Sequence, residues 1–474
     1  MTEPRDSYSP ERRTALLFTG TGADGAYHAG AMRALQEAGV KIDIVGGRGI
    51  GAVSAVLAAV DGSAQLWEDS GFWRSDAVPD LYRWRWPFRA LRLLGIGLIG
   101  VLAVPALVIS AALFVYPAAM VLGMAGLQSG SRLVEGFVAL LSAAFSPSAL
   151  PSWLPRLALL LCTAALIVLG AGAWIARWRS PLYRRSTGSW LWALLGSPLD
   201  ASVAIEQATE TVWRLLKGSA TIKTPEPEDL SRRYSELLTE NLGQPGFREL
   251  LLVVHDLDAH RDLVFGLVRD PYRRALFPPP GGVSSRRAEA HDLGSGMQSF
   301  AADVLAASLS VPGVSDARLV EFAPESYWRG ETHRLIDRPA SFGRLLEEAA
   351  AAGAEQVVIV SATGDPPGPH ELRPPRLDGL GRVGEQIASA ETAALTDAVR
   401  HLHHRFQGVY LIRPSHNPIR PFDLSGAYDE TSDRVQPLEE LMGRGFEDAY
   451  RQFIEPVLGA SGERISHLGR GSPD

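Results

Sequence analysis

Cysteine is almost missing. Cys162 is the only one in 474 residues, so no intrachain disulfide can form and a reducing compartment fits. It lies in an apolar run, where a packed or lipid-facing thiol is expected rather than a nucleophile. Basic residues are not in excess either. The formal net charge is −7, which leaves no electrostatic footprint for nucleic acid and excludes that class of partner. Residues 1–13 are polar and charged, without the apolar region of a signal peptide. No internal repeat is seen. What is present is apolar substance: 46% of residues, enough for one large domain, or two, with a sizeable core. The mean hydropathy of +0.03 is high for a soluble protein, and the excess is concentrated in one place.

That place begins after a boundary-like stretch rich in Trp, Tyr and Arg, from Tyr82 to Arg89, the composition of a membrane–water interface. Leu93 to Leu127 then runs 35 residues without a charge. As one helix it would extend about 52 Å, against a hydrocarbon core of roughly 30 Å. Pro105 and Pro117 interrupt it, so a kinked, tilted helix and two half-segments are both open. Phe137 to Phe145 is too short to span and is read as interfacial, re-entrant or packed. Leu157 to Ile175 is a second spanning candidate. Arg83, Arg85, Arg89 and Arg92 precede the first span, and Arg177, Arg179, Arg184 and Arg185 follow the last. By the positive-inside rule both outer flanks are cytoplasmic and the number of crossings is even. A membrane hairpin is expected.

The opening stretch, Thr14 to Val60, organises the rest. It reads strand, glycine turn, helix, strand, glycine turn, helix. Such turns aim the amides of a helix N-terminus into a common space that favours negative charge. An anion or oxyanion cradle is therefore expected, formed by Gly20, Thr21, Gly22, Ala23, Gly25, Arg48 and Ile50. Strands and helices resume after the apolar region: strands at 249–257 and 262–268 joined as a hairpin, helices at 297–308, 345–353 and 383–406, a buried strand in QVVIVSA, a last strand in GVYLIRP and a closing helix from Pro437 to Leu458. The alternation predicts an α/β sandwich with a mostly parallel sheet, interrupted by the hairpin.

Two chemistries compete for the glycine turns. Gly20, Gly22 and Gly25 form G-x-G-x-x-G between a strand and a helix, the dinucleotide fingerprint, with Asp43 as the candidate ribose ligand. Asp43 stands near the start of the second strand rather than its end, which weakens that reading. In the other, GRGIGA at 47–52 has the shape of a nucleophile elbow, G-x-S-x-G, with the first turn supplying oxyanion amides. Several segments in order then resemble the patatin-like phospholipase family: GTGADGAYHAGAMRALQEAG at 20–39 its oxyanion loop and helix, DIVGGRGIGAVSA at 43–55 its elbow, AASLSVPGV at 306–314 its downstream Ala-Ser-x-x-x-Pro-Gly segment, and YWRGE at 327–331 its Asp-Gly motif. The resemblance implies a three-layer patatin-like sandwich, interrupted here by an inserted transmembrane helical hairpin, and lipid acyl hydrolysis by a Ser–Asp dyad without histidine.

The departures fall on the chemistry. On this alignment the nucleophile position is Gly49, the dyad acid position is Arg329, and the oxyanion loop's usual Arg or Lys is Asp24. Losing a nucleophilic serine costs roughly a million-fold in kcat, about 8 kcal/mol of barrier. A carboxylate about 4 Å from a developing oxyanion adds about 4 kcal/mol at an effective dielectric near 20. The missing nucleophile is the larger effect and suffices. Ser54, Ser308, Ser310, His28, His255 and Asp256 offer no convincing replacement, and the cluster His401, His403 and His404 is read as a solvated face rather than a metal site. No cofactor or metal is expected. Arg48 and Arg329 together could hold a phosphate or carboxylate; equally, Arg48 could pair with Asp24 or Arg329 with Glu331. The expectation is a membrane-anchored lipid- or acyl-binding pseudoenzyme with a cytoplasmic main domain. The alternatives are an acyl hydrolase of phospholipase A type with a displaced nucleophile, and a dinucleotide-binding membrane protein. The expected divisions are a polar tail at 1–13, the first part of the patatin-like domain at 14–80, a membrane-inserted segment at 81–185, a helical linker region at 186–245, the second part at 246–460 and a polar tail at 461–474.

Overall fold

In the computed structural model, residues 8–145, 154–179, 196–278, 285–369 and 375–459 are described. Arg184, Arg185 and the tail at 461–474 lie outside them, as do the first seven residues. The short apolar runs form one sheet, and its inner strands are buried along their length with neighbours on both edges. β1 (Thr14–Thr19) pairs in parallel with β2 (Ile44–Gly47), Leu16 opposite Val45. The strand after β2 is β3 (Glu249–Asp256), again parallel, and it turns back antiparallel into β4 (Arg261–Leu267). β5 (Ala290–Asp292) follows in parallel on β4. β6 (Arg318–Glu321) and β7 (Thr332–Ile336) form an antiparallel pair, and β7 joins the end of β3. On the other flank β8 (Gln356–Ser361) lies parallel to β1, and β9 (Gly408–Ile412) parallel to β8. The sheet has nine strands, with the main path β9-β8-β1-β2-β3-β4-β5. It is a mostly parallel α/β sheet, as expected, with the β3–β4 hairpin where the sequence places it.

Alternation along β1 divides the core between two faces, since successive side chains point to opposite sides. Ala15 and Leu17 join Ile359, Leu251 and Val264 against α9 (Phe342–Ala351) and α10 (Gly379–Leu402), through Leu345, Leu346 and Leu395. Phe18 faces the other way, its ring 5.3 Å from that of His28 on α1 (Asp24–Glu37), beside α2 (Gly51–Ala59). Each fully buried Leu or Ile is worth about 1.5–3 kcal/mol relative to exposure, so both layers are well funded by apolar burial. α1 also packs along α11 (Leu438–Ala449), and α6 (Ser202–Lys217), α7 (Pro227–Asn241) and α8 (Ala301–Ser308) precede α9 in the chain.

The chain separates into two compact units, one of residues 1–83 with 200–474, the other of 84–199. The expected membrane-inserted segment, 81–185, falls almost entirely in the second of these units. Its helices are α3 (Trp86–Met124), α4 (Ser129–Phe145) and α5 (Leu154–Arg179). α3 is one continuous helix of 39 residues despite Pro105 and Pro117, which settles the choice between one helix and two half-segments. Among the described residues it alone is long and apolar enough to cross a membrane; α5 carries a shorter apolar stretch, Arg156–Gly172. Leu113 is 73% exposed and Phe114 76%, a surface that water does not favour.

Candidate functional site

Both glycine turns lie at the C-terminal edge of the parallel strands. The segment 20–23 carries β1 into α1, and 48–50 carries β2 into α2. Gly49 has φ +56, the left-handed turn that an elbow requires. The space beyond it is filled. A Cβ at Gly49 would fall inside the van der Waals envelope of the Gly20 carbonyl oxygen and 3.0 Å from Asp337 Oδ2. The amides are occupied as well. Ile50 N donates to Gly20 O at 3.0 Å, Arg48 N to Phe18 O at 3.2 Å, and Ala23 N to Pro421 O at 2.9 Å. Thr21 N is capped by Asp24 Oδ2 at 3.0 Å. Gly22, at φ +58, presents its open face to the Pro421 carbonyl, and the Trp73 indole and the Ile50 side chain lie on Gly25. The chain's own oxygens sit where an anion would. Of the expected open cradle of Gly20, Thr21, Gly22, Ala23, Gly25, Arg48 and Ile50, the amides of Thr21, Ala23, Gly25, Arg48 and Ile50 thus all bond within the protein.

Arg48 is fully buried and faces carboxylates through Nε and Nη2, while its Nη1 has no hydrogen-bond partner. Its Nε and Nη2 donate to Asp337 Oδ1 and Oδ2, both at 3.1 Å, a bidentate fork. Nη2 also donates to Glu391 Oε1 at 2.7 Å and to Thr21 Oγ1 at 3.3 Å, while Thr21 Oγ1 donates to Glu391 Oε1 at 2.6 Å. Three carboxyl groups surround one guanidinium, so not all can be ionised. Burial pushes Asp24 well above the usual carboxylate range, and the neighbouring Glu391 charge and hydrogen bond raise it further. Burial also lifts Asp337 to about 6, with Arg48 opposing the rise. For Arg48 itself, desolvation is outweighed by Asp337, Glu391 and Asp24, and the guanidinium is held more firmly charged.

His28, in the first turns of α1, is buried beside this group. Its Nε2–H donates to Thr19 O at 3.1 Å. Burial pulls the ring down to about 3, opposed by the Thr19 bond and aided by Arg48. The unfolded ring binds its proton near 6.5, so the native preference for neutral imidazole is complete above that pH and is lost as pH falls toward about 3. Against His28→Gln, the wild-type advantage in unfolding free energy should shrink by about 1.4 kcal/mol between about pH 7.5 and about pH 5.5. Urea titrations at the two pH values measure it; parallel curves would show that His28 does not carry this linkage.

Arg329 does not stand at the elbow. It is exposed in the β6–β7 connection with φ +48, its amide bonded to Ser326 O at 3.3 Å. Glu331 takes His333 as partner at 3.3 Å. The carboxylate beside Gly49 is Asp337, directly after β7, so a strand end rather than the Gly330 turn delivers the acid. Asp43 sits at the start of β2, where Oδ2 accepts from Thr14 N at 2.9 Å and pairs with Lys41 at 3.2 Å, at the opposite end of the strand from the glycines. With Pro421 seated on the loop and Asp43 at the far end of the strand, the geometry does not favour the dinucleotide reading. Ser308 and Ser310 bond back to Val304 O and Ala306 O. Ser54 is buried inside α2. His255 pairs with Asp262 at 2.7 Å, and Asp256 with His333 at 2.5 Å. His401, His403 and His404 are exposed, and no group of three or more metal-ligating side chains occurs among the described residues.

Asp337, Glu391, Trp73 and Pro421 were not singled out by sequence. Glu391 leaves a trace: it falls in the buried stripe of α10 with Gly384, Ile387, Ala388 and Leu395, where a carboxylate needs a buried partner.

Comparison with known proteins is sparse. No curated protein matches the chain. The crystal structure of VipD from Legionella pneumophila is similar with a TM-score of 0.31 at 13% identity, covering 95% of this chain and 67% of that one. Residues 16–102 match the family model described as Patatin-like phospholipase. The segment that holds both glycine turns is thus patatin-like, and the family read from those turns is the patatin-like phospholipase family.

Proposed function

We propose that this chain is a membrane-held patatin-like protein that does not hydrolyse acyl esters. One observation carries the reading: the elbow keeps its left-handed turn at Gly49 but has no hydroxyl, and its outlet is closed by the Gly20 carbonyl. Asp337 takes the place that Arg329 was expected to hold, the position of the dyad acid. Its carboxylate is committed to Arg48 rather than to a serine. An ion cluster replaces the dyad, and the former oxyanion loop becomes part of the core. The elbow therefore binds no phosphate or acyl anion.

Lipid enters the reading through the family, whose members are lipid acyl hydrolases, and through the inserted helices. α3, at 39 residues and about 58 Å, exceeds the hydrocarbon thickness and is exposed along its apolar surface. α3 with α5 forms the membrane hairpin in this reading, and the arginine-rich flanks place the main domain on the cytoplasmic side. Membrane phospholipid or acyl lipid is the partner.

The purified full chain, incubated with a fluorophosphonate serine probe and with short-chain and phospholipid esters, should show neither labelling nor turnover. Labelling that disappears with one serine replacement would establish a displaced nucleophile and end the non-hydrolytic reading.

A further inference from the structure

The charges of this protein are segregated along the chain. From residue 81 to 199 there are ten arginines, no lysine and one carboxylate, Glu135, a balance of +9. The remaining residues carry 36 basic and 52 acidic side chains, a balance of −16, which together restore the net −7. Electrostatically the remainder is repelled by a negative surface, while the inserted segment is drawn to one.

The structure gives part of this charge a position. Arg85 caps the start of α3, and Arg89 and Arg92 follow at helical spacing, so the three share one face. Arg89 and Arg92 are exposed. Gly172 of α5 lies against the Pro87 ring, so the beginning of α3 and the end of α5 share a level. Trp86 on α3 is 45% exposed and Trp174 on α5 is 64% exposed at that level. Indole rings settle at the headgroup region of a bilayer. The arginine row therefore stands at headgroup depth, with apolar helix beyond it.

Resting on the membrane reading above, we infer that Arg85, Arg89 and Arg92 form a binding surface for the headgroups of anionic phospholipids. Guanidinium groups bind phosphate oxygens in a fork and keep their charge throughout. Each arginine at a negatively charged surface contributes a factor of roughly five.

The test uses the full chain in nanodiscs of equal parts phosphatidylglycerol and phosphatidylcholine, with retained lipid counted by native mass spectrometry. Phosphatidylglycerol should be enriched at least about tenfold. The variant Arg85→Gln/Arg89→Gln/Arg92→Gln should lose most of the enrichment, and the matching lysine variant should keep most of it. Inorganic phosphate should not displace the lipid; displacement would show a site for the free ion and overturn the proposal. Equal retention of both lipids, or an unchanged glutamine variant, would also overturn it. Alkaline carbonate extraction of membranes separates the two readings. Protein that stays in the membrane without preferring the anionic lipid leaves the anchoring intact and defeats this inference. Protein that washes off defeats the anchoring itself.

Discussion

Replacing Arg48 by methionine should cost about 3–5 kcal/mol, the penalty for stranding buried charge after removal of its partner. That is a large part of the 5–15 kcal/mol that holds a typical domain together. Arg48 is the sole cation touching Asp337 and Glu391 among the described residues, and Asp24 lies within the same field. Without it, two carboxyl groups from β7's end and α10 meet in the core with no counter-charge. They must take up protons or admit water, and either response loosens the contacts between the elbow, α1 and α10. Urea unfolding of Arg48→Met measures the loss. Combining Arg48→Met with Asp337→Leu and Glu391→Leu should restore much of it, because a buried ion cluster exchanged as a whole for apolar groups is often neutral. A single Arg48→Met variant within about 1 kcal/mol of wild type would show that the cluster is not what clamps the elbow shut.

Installing the missing hydroxyl should not produce an enzyme. At an open elbow, gaining the nucleophile changes kcat by roughly a million-fold. Here Gly49→Ser places a Cβ against Gly20 O at a position already left-handed in φ. Left-handed backbone costs a non-glycine residue about 1–2 kcal/mol, and overpacking a filled site about 1–3 kcal/mol more. The Gly20 carbonyl must also surrender its bond from Ile50 N, 3.0 Å long. The expected result is a protein destabilised by about 2–5 kcal/mol with no turnover of phospholipid or simple esters. Ester hydrolysis by Gly49→Ser would reveal that the site opens readily and that only the hydroxyl was lost.

The fold was legible because its signals are local. Short apolar runs that end in glycine and alternate with Ala-rich helices leave few arrangements other than a parallel α/β sheet, and Gly49 stands where the patatin resemblance puts a serine. The acid was harder to find. Arg329 was chosen because Gly330 follows it, as a glycine follows the family's aspartate. The backbone brings in Asp337 eight residues later, at the end of β7, where strand pairing with β3 rather than a glycine turn sets its place. Closure of the cradle depends on Pro421 and Trp73, hundreds and tens of residues away from the loop in sequence, and no periodicity encodes such contacts. Charge offered a clue that spacing did not: Asp24 and Glu391 are carboxylates on otherwise small or apolar helix faces, and a buried cation had to answer them.

Asp24 has one last consequence. Burial, with the Glu391 charge beside it, makes the native core hold the Asp24 hydrogen ion more tightly than the extended chain does. Opening the core above the ordinary aspartate range therefore liberates an acid into the solvent. Alkaline surroundings favour that release, so this one carboxyl group makes the closed elbow a fastening that acidity tightens and base undoes.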